Sequence, residues 1–225
     1  MKLQFDAQQQ FQIDAVNSVV DIFDGQPLHH GDFEIRFDTS YENLLSGQVQ
    51  TELGMGNRLL LKDEAVLANV HRVQDANAID RTPSLQGYHF SVEMETGTGK
   101  TYVYLRTIFD LSRKYGFKKF VIVVPSVAIR EGVLKNLEIT KDHFKALFNN
   151  IEYEYFVYDS QRINRLRQFA VSNSIQIMVI NIDAFRKNFT GTEEEQKSNV
   201  IFRENDKLSG RQPIEFITAT NPVVI

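Results

Sequence analysis

The stretch Phe90-Ser-Val-Glu-Met-Glu-Thr-Gly-Thr-Gly-Lys-Thr-Tyr102 decides how this chain is read, because it joins a short apolar alternation to a glycine turn and then to a helical rhythm. Gly97 and Gly99 let the backbone turn so that successive N–H groups face inward. The helix expected from Lys100 adds its positive end to the same concavity. Compared with Gly-x-x-x-x-Gly-Lys-[Ser/Thr], Gly99, Lys100 and Thr101 match, while Met94 stands where the first glycine would be. The residues that would line such a cradle are Glu95, Thr96, Gly97, Thr98, Gly99, Lys100 and Thr101. In a loop of this kind the lysine reaches the outer phosphates of a nucleotide and the threonine hydroxyl ligates Mg²⁺, so ATP and Mg²⁺ are the expected cofactors, with Lys100 and Thr101 as the chemical groups and Thr101 as the metal ligand.

Outward from the loop, Phe90 to Met94 reads as a strand, and Tyr104, Ile108, Leu111 and Tyr115 mark one face of a helix closed by Gly116. Phe120 to Val124 is an unbroken apolar run stopped by Pro125, the pattern of a strand buried on both faces of a parallel sheet. A helix is expected from about Val127 to Leu137. Strands follow at Tyr153 to Tyr158 and Ile175 to Ile180, with a basic helix around Gln161 to Phe169 between them. The polar, glutamate-rich Thr190 to Asn199 reads as a surface loop, and Pro222 to Ile225 opens another strand. Toward the N-terminus, Phe11, Ala15, Val19, Ile22 and Phe23 recur at helical spacing before Gly25. The division expected is an N-terminal helix over 1–25, an insertion with some helix over 26–89, and a nucleotide-binding α/β domain over 90–225.

Composition narrows the class without naming it. In 225 residues with 42% hydrophobic content and a formal net charge of -4 there is no global basic footprint, so any nucleic-acid contact must be local. With no cysteine there can be neither a disulfide framework nor a cysteine-held metal. No apolar run approaches membrane-spanning length and no signal core opens the chain, so the expectation is a cytoplasmic protein without membrane contact.

Phosphoryl transfer also needs carboxylates to hold Mg²⁺ and position water. Asp63-Glu64-Ala65-Val66 has the look of such a motif, but it precedes the loop and Lys62 interrupts its approach, so a helix surface is the expected setting. No other acidic pair follows a buried strand. The α/β domain is therefore expected to be incomplete at its C-terminus, ahead of those carboxylates, and the 225 residues alone to hydrolyse almost no nucleotide.

Four segments together resemble the helicase-like restriction subunit of type III restriction-modification enzymes, within superfamily-two helicases and translocases. They are Phe11-Gln-Ile-Asp-Ala-Val16 with Asp21-Ile-Phe-Asp-Gly25, then Val92 to Tyr102, then Val121-Ile-Val-Val-Pro-Ser-Val-Ala-Ile-Arg-Glu-Gly132, then Ile180-Asn-Ile-Asp-Ala-Phe185. The resemblance implies a RecA-like P-loop NTPase domain of α/β class, a mostly parallel sheet flanked by helices. It implies that Gln12 reads adenine, since a side-chain amide both donates and accepts. It also implies that Pro125, Ser126 and Arg130 meet DNA, where a loop and helix start at a strand's carboxyl end can face a phosphate backbone. The resemblance also places a further strand-contact loop at Asn181 to Phe185; read from the residues alone, that segment is equally an Asx turn, Gln12 and Arg130 are ordinary exposed side chains, and Arg162, Arg165 and Arg167 are a solvated face.

The implied parent is an ATP-dependent endonuclease that moves or signals along double-stranded DNA beside a methyltransferase/specificity (Mod) subunit. The expected departures are a missing Asp-Glu-Pro-Gln metal motif, second motor domain and nuclease domain, as in an amino-terminal fragment. Two other readings stay open: a motor domain of another superfamily-two helicase or type I restriction subunit, and a stand-alone nucleotide-binding protein.

Overall fold

The structure, a computed structural model, describes residues 5–28, 31–37, 50–185, 200–205, 208 and 210–225. The Thr190 to Asn199 segment, read above as a loop, lies outside the described residues. The chain forms two compact units that interleave in sequence, one of residues 1–29, 59–116 and 133–151, the other of residues 30–58, 117–132 and 152–225.

In the first unit, α1 (Gln10–Val20) runs into a single 3₁₀ turn, Asp21–Phe23, and contacts α3 (Lys100–Tyr115). The inward face of α1 is Gln12, Val16 and Val20, an i, i+4 ladder. This corrects the sequence expectation by one residue: Phe11 is 50% exposed. The apolar periodicity misled there because the decisive residue, Gln12, is polar and is buried through a hydrogen bond rather than through hydrophobicity. Helix α2 (Asp63–Ala76) packs Val66 and Val70 against Ile22, which places Asp63 and Glu64 in the first turn of a helix, as expected for a surface pair. Asn69 ties α2 to the end of α1 by donating to the carbonyls of Ile22 and Asp24. Helix α3 ends at Gly116, whose φ of 78° only glycine adopts without strain.

The second unit holds a hairpin, β1 (Gly31–Phe37) and β2 (Gln50–Gly56), and a parallel sheet of β3 (Lys119–Val124), β4 (Tyr153–Val157), β5 (Ile175–Asn181) and β6 (Val223–Val224) in the order β4-β5-β3-β6. Helix α4 (Val127–Ile139) follows β3 and crosses the unit boundary, and α5 (Lys141–Leu147) belongs to the first unit. Helices α6 (Asn164–Val171) and α7 (Pro213–Ala219) cover one sheet face, where Leu166, Phe169, Phe216 and Ile217 pack with Val121, Met178 and Ile180. Phe120, Ile122, Ile177 and Val179, alternating with that set, are buried as well. This is the mixed α/β architecture with a parallel sheet flanked by helices that the sequence implied.

One expected strand is absent. Residues 90–94 have no strand pairing, and Phe90 and Val92 are 36% and 43% exposed. Alternation makes a segment competent for a sheet, but a strand exists only through a hydrogen-bonded neighbour, and none of the described strands pairs with it.

Asn57 fastens the sheet at its entry. Its side chain accepts from the N–H groups of Lys118 and Lys119 and donates to the Lys119 carbonyl, while its own N–H donates to Thr220, just before β6. Next to it, a Cβ on Gly56 would stand 2.7 Å from the Thr220 carbonyl oxygen, so glycine permits this approach. Lys119 is buried at the start of β3 and donates to the carbonyls of Phe169 and Ser172 at the end of α6, 2.5 Å each, with its ammonium over the Phe169 ring. Burial and the charge of Lys118 push its pKa down to about 7, while the negative end of α6 favours the charged form.

Candidate functional site

The glycine loop forms the turn its sequence requires. Gly97 and Gly99 both have positive φ, 84° and 87°, and Gly99 is the residue from which α3 departs. The Thr98 hydroxyl donates to the Glu95 carbonyl, closing the turn on itself. The Lys100 ammonium donates to the same carbonyl at 2.8 Å, so the lysine is folded over its own loop rather than extended into solvent. A Cβ on Gly97 would meet nothing within 4 Å, so the space beside Gly97 is open.

Gln12 docks on this loop from α1. It is 8% exposed, and its amide nitrogen donates to the Thr98 carbonyl at 2.9 Å. That bond uses one of two amide hydrogens and leaves the amide oxygen as an acceptor, so a donor and an acceptor remain side by side. The fit is tight: a Cβ on Gly99 would lie 2.7 Å from the Gln12 amide nitrogen. A cavity of about 600 Å³ is lined by Phe5, Gln9 and Gln12 together with Thr96, Gly97, Gly99, Lys100 and Thr101. Thr101 is thus on the cavity wall beside Lys100.

Around this cavity lies a small polar and aromatic cluster. Phe5 stacks on Tyr102, and the Tyr102 hydroxyl pairs with His143 Nε2 at 2.8 Å. Burial, then the Arg106 charge, lower the His143 pKa, and burial raises that of Tyr102. Arg106 donates to the Ala7 carbonyl, fixing the segment before α1 against α3, and pairs with Asp110. The sequence pattern gave no such role to Tyr102, Arg106 or His143, because α3, which carries the first two, meets His143 of α5 only in the folded chain.

Pro125, Ser126 and Arg130 lie at the carboxyl end of β3. The Ser126 hydroxyl accepts from the Ile129 N–H at the start of α4, a capping role. Arg130 bonds Glu131 at 2.9 Å. Asn181 accepts from the Asp183 N–H, so the Asx turn read from the sequence is present at the end of β5. Arg130 also lines a second cavity, of about 680 Å³, with Glu131, Phe156 to Ser160, Arg162, Arg165, Ala184 and Ile201. Arg162 and Arg165 were read from sequence as a solvated face. Both are exposed, and both border this cavity. No group of three or more acidic or histidine side chains able to hold a metal occurs among the described residues. No helix among them is long and apolar enough to cross a membrane.

A family model described as "Type III restriction enzyme, res subunit" matches residues 10–208. The chain is 34% identical over 119 residues to the Res subunit of the type III restriction-modification enzyme EcoPI from Escherichia phage P1, and 34% over 123 residues to that of EcoP15I from Escherichia coli. These alignments cover 51% and 52% of this chain but 12% and 13% of the relatives. A shorter match, 46% over 68 residues, links it to the StyLTI Res subunit of Salmonella typhimurium, covering 29% of this chain and 7% of that protein.

Proposed function

Since the chain belongs to the res-subunit family of type III restriction enzymes, we propose that it supplies the ATP-binding motor domain of a restriction subunit that travels along and cleaves double-stranded DNA. The observation that carries this reading is the loop itself: two left-handed glycines, a lysine and a threonine at a helix start, and a buried glutamine docked on the loop from another helix. An anion would replace the Glu95 carbonyl as the partner of Lys100. The backbone N–H groups of the loop would share its remaining charge. Gln12 would present its free donor and acceptor to an adenine edge, a pairing that guanine's reversed pattern frustrates.

The donor set fits a magnesium nucleotide. Mg²⁺ commonly takes one or two protein groups plus phosphate oxygens and water, and Thr101 offers a hydroxyl on the cavity wall beside Lys100. Mg²⁺ held with ATP would neutralise phosphate charge during hydrolysis. Pro125, Ser126 and Arg130 would face the DNA backbone, and a methyltransferase/specificity subunit (Mod) would supply target recognition, as the family implies.

Calorimetry with a non-hydrolysable ATP analogue tests the site. Wild-type binding that is lost in Lys100→Ala supports it, and equal binding by the two proteins refutes it. The same 225 residues should show almost no DNA-stimulated hydrolysis, because among the described residues no acidic pair placed to activate water follows a buried strand; substantial turnover would contradict this.

A further inference from the structure

The cavity beside the glycine loop is polarised in a way that a phosphate site alone does not explain. Two charged residues line it, Lys100 on the loop and Asp6 on the segment that leads into α1. The two carboxylate oxygens of Asp6 differ. Oδ1 accepts from the Gln8 N–H at 2.8 Å, which fixes the carboxylate on its own turn, while Oδ2 has neither a hydrogen bond nor an ion pair among the described residues. The turn is in turn held against α3, because Arg106 donates to the carbonyl of Ala7, the next residue, at 2.7 Å. A carboxylate with a spare acceptor therefore lines the cavity from an anchored segment.

Its charge decides which half of a nucleotide can lie beside it. Phosphates are repelled by a carboxylate, so they belong at the loop, where Lys100 and the start of α3 attract them. The group beside Asp6 must instead be a hydrogen-bond donor, because a carboxylate only accepts. A nucleoside offers such donors at the amino group of adenine and at the ribose hydroxyls. With the adenine edge met by Gln12, the ribose hydroxyls remain.

We propose that Asp6 accepts a hydrogen bond from a ribose hydroxyl of the bound nucleotide, so that the site selects ribonucleotides over deoxyribonucleotides. The proposal rests on the ATP reading of the loop and deepens it by assigning the sugar to a residue outside the loop.

The test is calorimetry on the 225-residue chain with Mg²⁺ and a non-hydrolysable ATP analogue in its ribose, 2′-deoxy and 3′-deoxy forms, with a thermal melt of every variant. The wild type should bind the ribose form about five- to tenfold more tightly than at least one deoxy form, the range of one hydrogen bond in a site open to water. Asp6→Ala should weaken the ribose form by about that factor, leave the disfavoured deoxy form within about twofold of wild type, and so erase the preference. Asp6→Asn keeps an acceptor oxygen and should retain a preference of about two- to fourfold with a wild-type melt. A role confined to shaping the turn would weaken all the forms alike and leave their ratio untouched. A wild type that binds the three forms equally overturns the sugar assignment, as does a preference that survives in Asp6→Ala or a variant that loses every form together. Failure of the wild type to bind any form, or equal binding by Lys100→Ala, overturns the ATP reading and the sugar assignment with it.

Discussion

The glycine loop, proposed above to hold a nucleotide's phosphates, and the cleft beyond β4 and β5 are built from different materials. The loop is local: residues 95–101 supply backbone N–H groups, and the geometry follows from two glycines that sit at positive φ. The cleft is assembled from side chains of three separated segments, after β3, β4 and β5, and its charges are balanced by neighbouring acids. A backbone site tolerates little change at its glycines, because the backbone is the ligand-binding group. A side-chain site tolerates substitution, because each arginine contributes a separable increment. The difference predicts sharp losses where the loop's backbone changes and graded ones where a side chain does.

The largest expected effect is at Lys100. Lys100→Ala should cut affinity for an ATP analogue by about 30-fold or more in calorimetry, the range of a lost charge-assisted hydrogen bond and its ion pair. Gly99→Ala should come next, lowering stability by about 1–3 kcal/mol in urea unfolding and weakening the ATP analogue by about 10- to 30-fold. The added methyl is strained at a φ of 87° and would be driven into the Gln12 amide. If Gly99→Ala binds like wild type, the loop is not a backbone site and the comparison fails. Gln12→Ala should cost about tenfold for the ATP analogue and little for the GTP analogue, since only the adenine edge loses its matched donor and acceptor. Asp6→Ala, described above, should be the mildest, since it removes one exposed acceptor and leaves the loop's backbone intact.

A pH experiment sharpens the comparison from a third position. Lys119 is unpaired by any carboxylate among the described residues, and its folded pKa of about 7 lies below its unfolded value. The unfolded chain therefore binds more protons between pH 7 and about 10, so stability should rise across that window and level off below it. Tyr115 and Tyr158, pushed up to about 12, lower stability only above about pH 10, outside the window. Lys119→Met should remove most of this rise, read as urea midpoints at pH 7 and pH 9.5. An unchanged rise would show that the end of α6 keeps the ammonium charged.

Much of the fold was legible because its signals are local. The apolar run stopped by Pro125, the helix closed by Gly116 and the Asx turn at Asn181 each depend on neighbours in sequence, and each formed. Residues 90–94 show the limit, since their alternation carries no information about whether a partner strand is there to bond. Helix α1 shows another: hydropathy pointed to Phe11, but the buried face is set by Gln12, whose partner lies 86 residues away.

The sequence by itself determined the glycine loop, the parallel α/β pattern and the family, because backbone conformation at a glycine and the periodicity of a strand or helix are properties of adjacent residues. Tertiary structure alone decided which polar groups would be buried and what they would meet. It put Gln12 on the loop, Lys119 on the end of α6, and Arg162 and Arg165 beside a tyrosine hydroxyl without a described partner. Those outcomes depend on desolvation and on contacts between distant segments, which no local pattern encodes.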